Sequence, residues 1–129
     1  MSKQYCFFRD RGGLKKINID EIVCMEITDN YIKFFMNELN EPLSVRATLS
    51  AALSKLPANQ FLRVSRTYAV SIDHIDEITK DSIVLINVKD HIPVSKEYYP
   101  EIIKQINILD AEPPKLRTSR KKKPAPGKS

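Results

Sequence analysis

The chain has 129 residues, 42% hydrophobic and 29% charged, with eight prolines and three glycines, a globular balance with room for one ordinary domain. No apolar run reaches the ~20 residues that cross a bilayer, and MSKQYCFFRDRG lacks the basic start and apolar stretch of a secretory signal; the expectation is a cytoplasmic protein with no membrane partner. The formal charge of +5 is uneven, with 14 Lys plus Arg against 15 Asp plus Glu in residues 1–110 and 7 against 1 in residues 111–129.

Along the chain, alternation or short apolar runs recur in KQYCFF, LKKINI, IVCMEI, YIKFFM and PLSV, separated by RGG, TDN and NELNE. Each reads as a short strand. Helical spacing then appears at Leu49, Ala52, Leu53 and Leu56, with Thr48 as N-cap and Pro57 as the stop. FLRV, TYAVSI, HIDEI, SIVLI and HIPV return to strand character, broken by KDS and NVKD. In SKEYY, Ser95 can cap a short turn that presents Lys96. PEIIKQINIL closes the series as a helix, with Pro100 in its first turn, Ile102, Ile103 and Ile106 on one side and Leu109 extending that side. No repeat of solenoid length is present, and strands with one or two short helices, not alternating with them, predict a mostly β fold.

One residue breaks the pattern. In FLRVSRTYAVSI, Leu62, Val64, Tyr68, Val70 and Ile72 form an apolar file at every second position, and Arg66 falls in that file. An uninterrupted strand would carry an unpaired guanidinium into the core at a cost of several kcal/mol, on the order of a small domain's whole stability. Either Arg66 is paired with a buried carboxylate or the strand breaks at Ser65, Arg66 and Thr67, exposing hydroxyl, guanidinium and hydroxyl together, a set suited to phosphate oxygens and base edges. Arg63, at the parity of Ser65, is expected to face solvent or a nearby carboxylate.

Cys6 and Cys24 lie inside strand-like segments without CxxC spacing, and His74 and His91 are isolated. Reduced, buried thiols and no metal or cofactor are expected, with a Cys6–Cys24 disulfide as the alternative should their strands be neighbours. The last residues, AEPPKLRTSRKKKPAPGKS, hold four prolines and no aromatic residue. The chain is therefore divided into a domain over residues 1–109 and a disordered basic tail over 110–129. Arg120, Lys121, Lys122 and Lys123 in that tail are either non-specific phosphate contacts or a solvated charge run.

The order of IDEIVCMEITDNYIKFFM, LSKLP, FLRVSRTYAVSIDHIDEI and IPVSKEYYPEI over residues 3–107 resembles the LytTR family of bacterial DNA-binding domains. Phe61, Arg63, Val64, Arg66, Thr67, Tyr68 and Val70 fit the family's central pattern. The resemblance implies an elongated, multi-stranded β fold whose loops enter the major groove, with Asn30 or Tyr31, then Ser65, Arg66 and Thr67, then Lys96 as contacts. Arg66 is expected in one major groove and Lys96 in a neighbouring groove on the same face. Many relatives have His where Ser65 stands, Asn where Ser71 stands and no proline at Pro100.

The function expected is sequence-specific binding of double-stranded DNA by a transcription regulator, on tandem half-sites and as a homodimer formed on DNA. Most relatives carry a receiver domain ahead of this module; this chain is expected to lack one, leaving expression level, a regulatory protein partner or dimerisation as the control. The alternative is a β-rich protein-interaction module, an inhibitor or adaptor without specific DNA binding. An enzyme is not expected, because Ser65, Ser71 and Ser95 have no histidine at readable spacing and no phosphate loop follows a strand. A near-neutral body suits DNA only if Arg66, Lys96, Arg63, Arg46 and Lys33 share a face and Asp73, Asp76, Glu77 and Asp81 another.

Overall fold

A computed structural model describes residues 4–37 and 41–110. Among the described residues ten strands, matching the ten strand-like segments of the sequence, form three antiparallel sheets. β1 (Tyr5–Asp10) and β2 (Gly13–Asn18) make a two-stranded ribbon. Its two-residue turn places Arg11 at φ 53° and Gly12 at φ 85°, the left-handed pair that matches the twist of a tight hairpin. β3 (Ile22–Thr28), β4 (Tyr31–Met36), β5 (Leu43–Arg46), β6 (Phe61–Arg63) and β7 (Tyr68–Ser71) form the central sheet in the order β5-β4-β3-β7-β6. β8 (Ile75–Ile78), β9 (Ser82–Leu85) and β10 (Ile92–Pro93) form the third, ordered β10-β9-β8.

The centre of the central sheet is covered on both faces, whereas its β5 edge is covered on one and exposes Ser44 and Arg46 on the other. Ile22, Met25, Ile32, Phe34, Phe61 and Ala69 pack with Ile17, Leu49 and Leu56 in one core. Cys24, Leu62, Val64 and Val70 pack with Ile83, Leu85, Ile92 and Ile102 in the other. Adjacent residues feed opposite cores, which follows from the two-residue period of a strand. Each fully buried aliphatic side chain contributes about 1.5–3 kcal/mol, so two cores in one small chain hold the central sheet from both sides.

The first helix, α1 (Leu49–Ser54), starts where Thr48 Oγ1 accepts the Ala51 N–H at 3.1 Å, a cap worth about 1 kcal/mol. The second, α2 (Tyr99–Gln105), has Pro100 in its first turn and buries Ile102. It ends sooner than the periodicity suggests, and Leu109 lies beyond it, 99% exposed. Cys6 packs against the first core and Cys24 against the second, both as free thiols, so the disulfide alternative fails because the central sheet separates the two layers.

The structure also shows a local recurrence. Ile19–Glu21 and Ile72–His74 are single 3₁₀ turns, each closed by the following isoleucine N–H on the first residue's carbonyl. Each leads into a hairpin, β3–β4 or β8–β9. The residue after each hairpin returns a hydrogen bond to the turn, Asn37 N–H to Glu21 O at 2.9 Å and Ile86 N–H to His74 O at 2.8 Å. The I-D-x-I pairs at 19–22 and 72–75 are the sequence trace of this device.

Candidate nucleic-acid interface

The strand of FLRVSRTYAVSI breaks. Leu62 pairs with Val70 and Arg63 with Ala69, so residues 64–67 are the tip of a hairpin and Arg66 is exposed on it. Among the described residues Arg66 has no ion pair, and the buried-pair alternative is excluded by its exposure. Val64 turns back into the second core, which keeps the apolar file intact up to the break.

The tip is built from within. Ser65 Oγ accepts the N–H groups of Thr67 at 3.1 Å and Tyr68 at 3.0 Å. Arg63 donates through Nε to Ser65 O and through Nη2 to Arg66 O, both at 3.1 Å, while its guanidinium lies 5.5 Å from the Tyr98 ring centroid. The expectation that Arg63 faces solvent or a carboxylate is corrected: it is half-buried and spends its planar fork on the loop carbonyls. Sequence reasoning missed this role, although the F-x-R-V pattern marks the position.

Two backbone bonds tie the tip to the other polar segments. Ile27 N–H donates to Thr67 O at 2.6 Å, next to the β3–β4 turn, and Ser95 N–H donates to Val64 O at 2.8 Å. Ser95 in turn organises the segment after β10, its Oγ accepting Glu97 N–H at 3.3 Å and its carbonyl the Tyr98 and Tyr99 N–H groups. Lys96 is exposed at the start of that turn. Asn30 and Tyr31 are exposed at the β3–β4 turn, which Asn30 O fastens to β5 by accepting Ala47 N–H at 3.1 Å. The Tyr31 ring is 44% exposed with the Arg46 guanidinium 6.0 Å away.

Asn30, Tyr31, Ser65, Arg66, Thr67 and Lys96 thus gather at one end of the central sheet, where β3, β5 and β6 finish and β4 and β7 begin. Ser65 and Thr67 shape the tip, and Arg66, Lys96 and Tyr31 project from this end. With strands about 4.8 Å apart, the β3–β4 turn and the β6–β7 tip are about 10 Å apart. The path from Arg66 through the Val64–Ser95 bond to Lys96 is under about 18 Å between Cα atoms. By strand order and the Val64–Ser95 bond, the Arg66 loop stands between the Asn30–Tyr31 turn and the Lys96 segment, a row of three segments. Arg120, Lys121, Lys122 and Lys123 lie outside the described residues.

A titratable pair sits below the row. Burial, with Glu26 adding, pushes the Cys24 thiol up to about 11, and burial followed by Glu26 raises the Tyr68 phenol. Among the described residues no group of three His, Cys, Asp or Glu side chains is arranged to hold a metal ion, and no helix is long and apolar enough to cross a membrane.

The fold is similar to that of the LytTr DNA-binding domain of a Bacillus cereus protein described as a methyl-accepting/DNA response regulator, with TM-score 0.64 and 21% identity over 81% of this chain and 97% of that one. No curated protein matches the chain. The sequence model of the LytTr DNA-binding domain matches residues 12–107, a span that holds all three polar segments of the row. The chain belongs to the LytTR DNA-binding-domain family.

Proposed function

We infer that this chain is a sequence-specific regulator of transcription, acting in the cytoplasm, that reads double-stranded DNA with the row of polar loops at the end of its central sheet. The observation that carries the reading is the pair of backbone bonds, Ile27 to Thr67 and Ser95 to Val64, which hold three separate polar segments on one edge. Asn30, Tyr31, Arg66 and Lys96 would make the contacts, with Ser65 and Thr67 shaping the central loop.

The row's dimensions favour another groove assignment over Arg66 and Lys96 in neighbouring grooves. Successive major grooves on one face of B-DNA are about 34–36 Å apart, more than Arg66 and Lys96 span along the path through the Val64–Ser95 bond even with both side chains extended. The outer members, Asn30 with Tyr31 at one end and Lys96 at the other, are the pair whose span, with side chains extended, approaches a helical repeat. Arg66 then faces the segment between them. Such a footprint discriminates few base pairs, at about 1–3 kcal/mol each, so two copies on tandem half-sites in one orientation would supply the rest.

Selection of bound duplexes from a random pool tests the reading. A recovered motif supports it, and recovery of unrelated sequences would favour the interaction-module alternative. The tail's proposed phosphate contacts have their own readout: deleting residues 111–129 should flatten log K against log salt by about 0.9 for each phosphate that the tail neutralises, and an unchanged slope rejects them.

A further inference from the structure

The two outer layers of the fold have opposite surface chemistry. On the ribbon, Cys6, Phe8 and Ile17 face the first core, while Tyr5, Phe7 and Arg9 face outward with Lys16 opposite Phe7 and Leu14 opposite Arg9. Tyr5, Phe7 and Leu14 are 46%, 57% and 60% exposed, and Lys16 Nζ stands 4.3 Å from the Tyr5 ring centroid. Nothing in the fold requires these apolar groups on the outward file, since the inward file alone anchors the ribbon. Residues 4–18 hold four basic side chains and one acid. The β8–β10 layer is the reverse: residues 72–93 hold Asp73, Asp76, Glu77, Asp81 and Asp90 against two lysines. All five acids are exposed, and Ile86 beside them is 46% exposed.

We propose that the outward face of the ribbon docks on the acidic β8–β10 layer of a second copy of this chain, head to tail. The chain's own residues 111–129 carry seven basic residues and one acid, a charge of the same sign as the ribbon's. Duplex DNA complements the ribbon's charge as well, and the R9E/K16E variant below separates it from a second copy. A second copy offers opposite charge and an apolar contact together. A contact between two unlike faces repeats in one direction, which is the relation between two copies on half-sites of the same orientation. The biological use of the contact rests on the DNA-binding reading, but the contact itself belongs to the free chain.

The experiment is sedimentation velocity of the full chain without DNA, at rising protein concentration. Wild type should associate in about 50 mM salt and weaken about tenfold by about 500 mM as screening shortens the reach of the charges. R9E/K16E and D76K/E77K should each lose association about tenfold. Their equimolar mixture should recover it, because the ribbon of D76K/E77K and the acidic layer of R9E/K16E are both intact. Phe7→Ser should weaken association while leaving its salt dependence. A monomeric wild type, a D76K/E77K protein that associates like wild type, or a mixture that stays monomeric would each overturn the proposal. So would an R9E/K16E protein altered only in duplex binding, which would make the ribbon a DNA surface. With no DNA in the cell, failure here leaves the DNA reading standing, and failure of duplex selection leaves this contact standing.

Discussion

The β6–β7 hairpin puts two opposite environments within four residues of each other. In its stem, Leu62 and Val70 are fully buried in one core and Ala69 in the other. At its tip, Arg66 and Thr67 are exposed on a loop whose carbonyls accept from Ser95, Arg63 and Ile27 and whose Val64, Ser65 and Thr67 N–H groups donate to Tyr68 and Ser65. Between two cores, β6 and β7 have no face to spare for polar work, so in this hairpin recognition is confined to the tip. The dry stem and Val64 fix where the tip stands, and the exposed positions Arg66 and Thr67 can then vary without cost to either core.

The largest expected effect comes from breaking the stem. Leu62→Ala removes a fully buried side chain and should cost about 2–5 kcal/mol of stability in urea unfolding, while duplex affinity measured well below the midpoint stays near wild type. A loss under about 1 kcal/mol would mean that the stem is not packed between two cores. Alkaline pH attacks the same region. The Cys24 thiol moves from 9.0 to about 11 in the folded chain, so the native state keeps a proton that the unfolded chain releases. The contribution of Cys24 to stability is therefore complete below pH 9 and is lost as pH rises from about 9 to about 11, about 3 kcal/mol in all. Urea midpoints at pH 7.5 and 10.5 for wild type and Cys24→Ala test this; equal pH dependence in both would clear Cys24 of the effect.

The same contrast decides what could be read from the sequence. Periodicity found the ten strands and both helices, because burial on two faces leaves short apolar runs bounded by polar turns. Arg66 was legible because a charge in the apolar file Leu62, Val64, Tyr68, Val70 has only a few physical resolutions. The role of Arg63 was not, since its partners are backbone carbonyls, and any residue supplies those. Nor was the joining of the Arg66 and Lys96 loops: the bond from Ser95 to Val64 links positions 31 residues apart with no side-chain signature. Leu109 was misread because helical spacing continues in the sequence past Gln105, while the backbone at Ile106 is already extended at φ −118° and ψ 158°.

At the tip, Arg66→Ala should reverse the pattern seen in the stem. Its side chain is exposed, so stability should change by less than about 0.5 kcal/mol, whereas specific duplex binding should fall by about 1–3 kcal/mol. A thermal melt beside a duplex titration separates the two. A destabilised variant would make Arg66 part of the scaffold and erase the distinction between stem and tip.

Arg63 sits where stem becomes tip, and its smaller effect should appear on both sides. Its two bonds to Ser65 O and Arg66 O are charge-assisted, but the loop is open to water, so Arg63→Ala should cost about 1 kcal/mol of stability. Lysine cannot present two donors in one plane, so Arg63→Lys should recover little of that loss despite keeping the charge. Binding should weaken as well, because the freed loop must be ordered again before Arg66 can reach DNA. That route predicts coupling: on the Arg66→Ala background, Arg63→Ala should lose most of its effect on affinity while its effect on stability persists. A double-mutant cycle read in both assays distinguishes the cases. If the affinity loss is the same with and without Arg66, Arg63 touches DNA on its own account, and the boundary between stem and tip lies one strand position deeper.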